Sequence, residues 1–349
     1  MSSSAVVPVG WRVCIATWSI VTTILGLPGN IFVLHACFRH KAIKFGRVPV
    51  ILIQNIAFAD ICNILAICAS TTSWTSLVNE ATAAHFYNNT MPGKVLCFAI
   101  EHITYWCPSA AGAMICALNV CKLLCLLYPL RGIERMARWG YLIAVMSWAL
   151  YLPRLAVVLI DHGTSTTYYN ISEFRCGLRL ANLTNFESVE DTIMGVVLPG
   201  ASGLVMLITT AALLLFIRNA IGLNRNAILV NVSISGIFLV SYIPYITWIV
   251  WRAATNFDDS LGQERVWMFA VNIYYCNLFC NPIIYYATSR SFQQYTHSCF
   301  LRGYRRVRSG RSEDDQQQES LVQDCKQEEP YSSLDPDTGA MESEYSPIN

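Results

Sequence analysis

Charge is what this sequence has least of. Asp, Glu, Lys and Arg make up only 13% of its 349 residues, against about 25% in a soluble domain. Hydrophobic residues make up 54%, and the mean hydropathy is +0.40. That balance argues against a soluble globular protein and puts a membrane protein first. The net charge is only +1, and no basic stripe with interleaved aromatics precedes the tail, so nucleic acid is not an expected partner. The six histidines are scattered without metal-ligand spacing. No His/Asp/Glu cluster and no Gly-x-Ser-x-Gly elbow is present, which leaves a membrane enzyme without support. No cleavable signal peptide is evident. The first ten residues are polar or small and a spanning hydrophobic run follows, which suits a first helix acting as its own signal. Cysteine is abundant, at fourteen, but Cys62, Cys68, Cys107, Cys116, Cys276 and Cys280 lie in apolar runs. They read as small apolar residues rather than as a disulfide framework.

Long hydrophobic runs are what the sequence does have. About 20 mainly apolar residues cross a bilayer core. Seven stretches qualify, at roughly Val13–Phe38, Val48–Thr75, Lys94–Tyr128, Trp139–Ile160, Val189–Ile217, Ala227–Trp251 and Val266–Thr288. The expected fold is therefore all-α, a seven-transmembrane helix bundle. Residues 1–12 form a short extracellular N-terminus, 13–288 the seven-span domain, 289–300 an amphipathic helix and 301–349 a disordered cytoplasmic tail. In the tail, sequence such as Ser312-Glu313-Asp314-Asp315-Gln316 cannot bury enough apolar surface to fold. Positive charge sets the orientation. Arg39, Lys41, Lys44 and Arg47 follow span one, Arg131, Arg135 and Arg138 follow span three, and Arg290, Arg302, Arg305, Arg306 and Arg308 lie at the start of the tail. The alternate loops hold acids instead, among them Glu80, Asp161, Glu173 and Asp258. The N-terminus is thus expected outside, in a multi-pass plasma-membrane protein. Sequons at Asn88, Asn170 and Asn182 fall in loops expected to be extracellular and are candidate glycosylation sites. A fourth match, at Asn231, falls inside span six and is read as accidental.

Polar groups inside a bilayer are costly and call for an explanation. Asn30 lies in span one, Asp60 in span two, Asn277 and Asn281 in span seven. Together they point to one polar centre joining those spans. Pro153, Pro199, Pro244 and Pro282 sit within spans four to seven, where each removes a backbone hydrogen bond and can kink its helix.

These residues fall in an order that resembles rhodopsin-like (class A) G protein-coupled receptors, across roughly residues 13–300. The match comprises Gly29-Asn30, Ala59-Asp60, Cys97 at the start of span three, Tyr128-Pro129-Leu130, Trp148, Cys176, Pro199, Phe238 with Pro244-Tyr245, Asn281-Pro282-Ile283-Ile284-Tyr285 and Ser291-Phe292-Gln293-Gln294-Tyr295. The resemblance implies a disulfide between Cys97 and Cys176, chemically allowed on the oxidising side. It also implies a short eighth helix, and a sodium ion as allosteric ligand at Asp60, Asn277 and Asn281. No other cofactor is expected. Implied partners are an extracellular ligand, a heterotrimeric G protein, arrestin and membrane lipid.

Departures from the pattern bear on function. The family's Asp-Arg-Tyr reads Cys121-Lys122-Leu123, and lysine lacks arginine's planar fork. Tyr242 stands where the family has tryptophan in span six, Leu207 where it has a tyrosine in span five, and Ala111 where a hydroxyl helps to hold sodium. Pro108 adds a kink in span three. The switch and G protein contact residues expected from the resemblance are Cys121, Lys122, Leu123, Phe238, Pro244, Asn281, Pro282 and Tyr285. The implied ligand pocket comprises Trp74, Glu101, Thr104, Tyr105, Tyr242, Tyr245, Trp248, Arg252, Asn272 and Tyr275. Thr104 replaces the aspartate of amine receptors, and Tyr275 replaces the retinal lysine of opsins, so neither ligand class fits. Glu101, Glu187, Glu190 and Asp191 with Arg154 and Arg252 make a mixed field that suits a peptide better than a simple anion. Cys299 is a candidate palmitoylation site, and Ser309, Ser312, Ser320, Ser332 and Ser333 are candidate phosphorylation sites for arrestin.

The function expected is therefore a rhodopsin-like receptor, not an enzyme, passing an extracellular signal to cytoplasmic partners. One alternative is an atypical receptor of the same fold with little G protein coupling. A membrane transporter is the alternative from another class, but no internal repeat supports it.

Overall fold

The computed structural model describes residues 9–39, 47–72, 80–127, 133–150, 152, 166–170, 175–179, 198–219, 225–254, 261–290 and 292–299. The helices are α1 (Val9–Arg39), α2 (Arg47–Thr72), α3 (Glu80–Asn89), α4 (Met91–Leu127), α5 (Ile133–Ala149), α6 (Leu198–Asn219), α7 (Arg225–Ala254) and α8 (Leu261–Thr288). A further helix, α9, occupies 292–299. Seven of these, α1, α2 and α4 to α8, make the transmembrane bundle. Ala16–Arg39, Val48–Ala69 and Met91–Leu124 are long and apolar enough to cross a membrane by length and composition alone. The described parts of α5, α6 and α7 hold shorter apolar segments.

The bundle exposes large apolar side chains and holds polar ones among the apolar residues of its interior. Ile20, Ile24 and Phe38 on α1, Val145 on α5, Leu204 and Leu215 on α6, Val240 on α7 and Phe269 on α8 are all exposed. Asn30, Asp60, Asn63, Asn119, Ser235, Asn277 and Asn281 are all buried. Hydrocarbon makes an exposed Leu or Ile favourable, whereas polar side chains are better placed among partners inside. The helices close a ring. α1 packs on α2 and α8, α8 on α7, α7 on α6, and α4 runs through the middle against α2, α5, α6 and α7. The chain divides into two units, Met1–Tyr295 with the bundle and Thr296–Asn349. In the second unit, only the last turn of α9 is described.

Two elements had no counterpart in the sequence reading. Between α5 and α6, β1 (Thr166–Asn170) and β2 (Arg175–Arg179) form an antiparallel hairpin, so the bundle is all-helical but the chain is not. Its register pairs Tyr169 with Cys176, and both strands pack against α4. α3 occupies the stretch between α2 and α4 and contacts β1. Thr90 links α3 to α4. Its hydroxyl donates to the Phe86 carbonyl at 2.7 Å and accepts from the Gly93 amide at 3.1 Å, capping an otherwise orphaned N–H at the start of α4. The end of the bundle near Cys97 is called the hairpin end below, and the end near Leu127 the tail end.

The seven expected spans match helices, with edges displaced by a few residues. At the described edges the larger differences are at α5, which starts at Ile133 rather than Trp139, and at α8, which starts at Leu261 rather than Val266; span five, expected from Val189, is described as helix from Leu198. Span four is described as helix to Ala149, and Pro153 lies outside the described residues. Pro108, Pro244 and Pro282 lie inside helices, as does Pro28 of α1, which the sequence reading passed over. Pro199 is the second residue of α6 as described. Asn88, expected in a loop, is in helix α3, and Asn170 closes β1. Asn182 lies outside the described residues.

Candidate functional site

The polar centre assembles at the junction of α1, α2 and α8. Asn281 Nδ2 donates to Asp60 Oδ2 at 2.9 Å, with Asp60 2% exposed and Asn281 fully buried. Asn30 Nδ2 donates to the Gly26 carbonyl at 3.0 Å and to the Leu278 carbonyl at 2.7 Å. The second bond has a specific cause. Leu278 lies one helical turn before Pro282, and proline has no N–H to give it. Asn30 supplies the missing donor from the neighbouring helix, so the proline break costs no unsatisfied carbonyl in the membrane. The helices must approach closely for this, and Gly29 permits it. A Cβ there would stand 2.9 Å from Pro282 Cβ and 3.0 Å from its Cγ, inside van der Waals contact. Asn277 sits one turn before Asn281 on the same face of α8. The side-chain oxygens of both have no hydrogen-bond partner. These two oxygens and the Asp60 carboxylate are hard donors of the kind a small cation takes, and the residues present therefore fit sodium. Ala111 on α4 is 2% exposed and adds no oxygen.

Toward the hairpin end, Tyr242 on α7 lies flat on Phe238 with centroids 5.1 Å apart and planes at 14°. Phe238 occupies a notch on α4. A Cβ on Gly112 would stand 2.8 Å from its Cζ. Tyr274 on α8 meets Tyr242 edge-on at 5.6 Å and 66°. Tyr274 was not among the expected pocket residues. Its neighbour Tyr275 was, and it packs on the cluster of Ile64, Ile67 and Leu278 with its ring 6.0 Å from that of Tyr274. Helical phase separates the two, and the sequence alone did not fix it.

The other expected pocket residues divide. Glu101, Tyr242 and Trp248 are buried, while Thr104, Tyr105, Asn272 and Tyr275 are half-buried. The Thr104 hydroxyl is turned back on its own helix, donating to the Ile100 and Glu101 carbonyls at 2.8 and 3.0 Å. The Asn272 carbonyl accepts from Trp18 Nε1 at 2.6 Å, so α1 also reaches this level. Trp74 lies outside the described residues, as do Arg154, Glu187, Glu190 and Asp191 and the side chains of Tyr245 and Arg252. Cys97 is disulfide-bonded and fully buried against Tyr87 and Ile100. The side chain of Cys176 is outside the described set. Cys62, Cys68, Cys107, Cys116, Cys276 and Cys280 form no disulfide.

At the tail end, Cys121, Lys122 and Leu123 are half-buried on the last turns of α4. Tyr285 is 1% exposed, its hydroxyl has no partner, and its ring meets Phe292 of α9 at 6.0 Å. α9 turns Phe292 and Tyr295 inward and Gln294 and His297 outward, the amphipathic division expected of it. Phe292 packs on Phe32, and the Tyr295 hydroxyl is hydrogen-bonded to His35 Nδ1 at 2.6 Å. Trp148 ties α2, α4 and α5 together. Its Nε1 donates to Asn55 Oδ1 at 3.1 Å, and its carbonyl accepts from Trp106 Nε1 at 2.8 Å. Sequence reasoning missed a second polar junction, in which Asn119 of α4 bonds Thr210 of α6 and Ser235 of α7. Among the described residues no group of three or more His, Cys, Asp or Glu could hold a metal.

A ring of seven apolar helices with Asn30, Asp60 and the Asn281-Pro282 break at its centre defines a class. The family model for the 7 transmembrane receptor (rhodopsin family) matches residues 29–285, from the Gly29-Asn30 pair to Tyr285. The chain belongs to the rhodopsin family of seven-transmembrane receptors. It is similar to the mouse (Mus musculus) protein "Probable G-protein coupled receptor 174", with 22% identity over 291 residues that cover 78% of this chain and 82% of that one. The chain is thus a multi-pass membrane receptor of a signalling family rather than an enzyme.

Proposed function

We propose that this receptor binds its ligand from the hairpin end, and that this end is extracellular. Disulfides persist on the oxidising side of a membrane, so the bonded Cys97 supports that orientation, as do the Arg and Lys residues after spans one and three. The proposed partner of Cys97 is Cys176, carried on the strand that packs against α4. The ligand site lies among α4, α7 and α8 around Glu101, Tyr105, Tyr242 and Trp248, and its mixed charge favours a peptide. The observation that carries this reading is the Tyr242–Phe238 stack seated at Gly112. It gives ligand contact at one end of α7 a rigid route toward the other.

The cytoplasmic partner is a heterotrimeric G protein, engaged weakly because Lys122 stands where an arginine fork would make paired contacts. Arrestin is the second partner, acting on the tail. An atypical receptor with little G protein output is the second reading, and the Cys121-Lys122-Leu123 sequence favours it. Sodium binds at Asp60, Asn277 and Asn281, less tightly than in relatives with a hydroxyl at the Ala111 position. Cys299, a half-buried free thiol on α9, is a lipid attachment point, and Asn88, Asn170 and Asn182 are glycan sites.

The test is a screen of peptide and small-molecule libraries read by arrestin recruitment, repeated on Tyr242→Ala and Trp248→Ala at matched surface levels. A ligand of the proposed site loses at least tenfold in potency on one of them, the effect of about 1.4 kcal/mol of lost contact. Responses indifferent to both substitutions contradict the site.

A further inference from the structure

We propose that Asn119 is a releasable clasp that holds the tail-end halves of α6 and α7 to α4. The clasp lies one turn from Lys122, whose sequence neighbour is Cys121 rather than a carboxylate, and it rests on the reading of the protein as a two-state receptor. Asn119 is fully buried one turn before Lys122. Its Nδ2 donates to Ser235 Oγ on α7 at 2.6 Å and to Thr210 Oγ1 on α6 at 3.2 Å. One amide nitrogen has two protons, and here each holds a different helix. Apolar residues within about a turn of these three, Ile115 and Leu118 on α4, Met206 and Leu213 on α6 and Ile234 on α7, are all buried, and a low local dielectric strengthens such bonds.

Two features make this a clasp rather than a fixed joint. Asn119 Oδ1 is buried with no partner, so the amide is only half satisfied. Sites tuned for stability alone rarely leave such an atom. The hydroxyls, in contrast, lose little when the amide lets go, because Ser and Thr in a helix can bond a carbonyl one turn back. Their neighbours already do so. Thr209 donates to the Val205 carbonyl at 2.7 Å, and Ser241 to the Phe238 carbonyl at 3.0 Å. The three helices can therefore separate here without stranding a donor on α6 or α7. Ser235 lies one turn from Phe238, which carries the Tyr242 stack. A shift of Tyr242 thus bears on the clasp through a single helix.

Hydrogen exchange on the full chain in lipid nanodiscs tests this without a ligand or a G protein. It separates failure of the clasp from failure of the receptor reading. The proteins compared are native, Asn119→Leu, Ser235→Ala and the double variant. In Asn119→Leu, amide exchange in residues 225–237 rises about five- to tenfold, the population change expected of two intramembrane hydrogen bonds, while residues 245–254 are unchanged. Ser235→Ala shows part of the rise, and the double variant shows no more than Asn119→Leu, since both remove one contact. The thermal midpoint moves by no more than about 3 °C, because leucine also removes the orphaned oxygen. Unchanged exchange in residues 225–237 overturns the proposal. So does a rise spread evenly over all helices with a large fall in midpoint, which marks a merely structural residue.

Discussion

Asn30, Asp60 and Asn281 announce themselves in the sequence because a polar side chain in a hydrocarbon solvent has few innocent uses. The partner of Asn30 is legible too, given the chemistry of proline, since Pro282 must leave the Leu278 carbonyl without its helical donor. Asn119 is harder to read. Its partners Thr210 and Ser235 are ordinary residues of membrane helices, and the junction exists only because three helices rotate to face one another. The Tyr274/Tyr275 pair is hard to read for a similar reason. One residue is about 100° of helix phase, finer than an apolar helix without a polar stripe can specify. At this scale the sodium proposal is testable. Ala111→Ser adds an oxygen at the α4 position where the family resemblance places one for sodium. If that tightens sodium tenfold, then at a concentration equal to the native dissociation constant its stabilisation rises from about 0.4 to about 1.4 kcal/mol. Thermal midpoints in sodium against potassium chloride measure this, with Asp60→Asn abolishing the difference in both backgrounds. A native chain that already responds as strongly as Ala111→Ser contradicts the weak-site account.

The helices were legible as elements because hydrophobic length is set by the bilayer. Their ends were less so. Leu261-Gly262-Gln263-Glu264-Arg265 continues α8 beyond the apolar run, since a helix does not have to stop where hydrocarbon does. The hairpin was missed although its strand Thr166-Thr167-Tyr168-Tyr169 is β-branched and aromatic, a β signal in itself. A loop of polar and charged residues between two spans concealed it. The hairpin also brings Cys176 onto a strand that contacts α4, where Cys97 is bonded. Loss of a native disulfide costs about 2–4 kcal/mol, so Cys97→Ser and Cys176→Ser should each lower surface expression. The double variant should be no worse than either single one. Flow cytometry at matched transcript levels measures this, and additive losses would show that the two cysteines are not partners.

For the whole molecule, the apolar surface with polar residues inside follows from composition and hydrophobic length, and the seven-helix class with it. The signalling balance does not, because it is a small difference between opposed effects. On the proposed reading, Cys121 lacks the carboxylate that could hold Lys122, and losing a resting-state contact of about 1 kcal/mol shifts the resting ratio about fivefold toward the active form. On the same reading, Lys122 lacks the fork that would engage a G protein, and Leu207 and Tyr242 act in the same direction. The second effect dominates in this account. The most direct measurement is basal and ligand-driven G protein activation by the native chain, by Lys122→Arg and by Lys122→Arg combined with Cys121→Asp, at equal surface density. The account predicts low output from the native chain, a clear rise with Lys122→Arg and a fall in the basal part when Cys121→Asp is added. Strong coupling by the native chain, unmoved by Lys122→Arg, would contradict it.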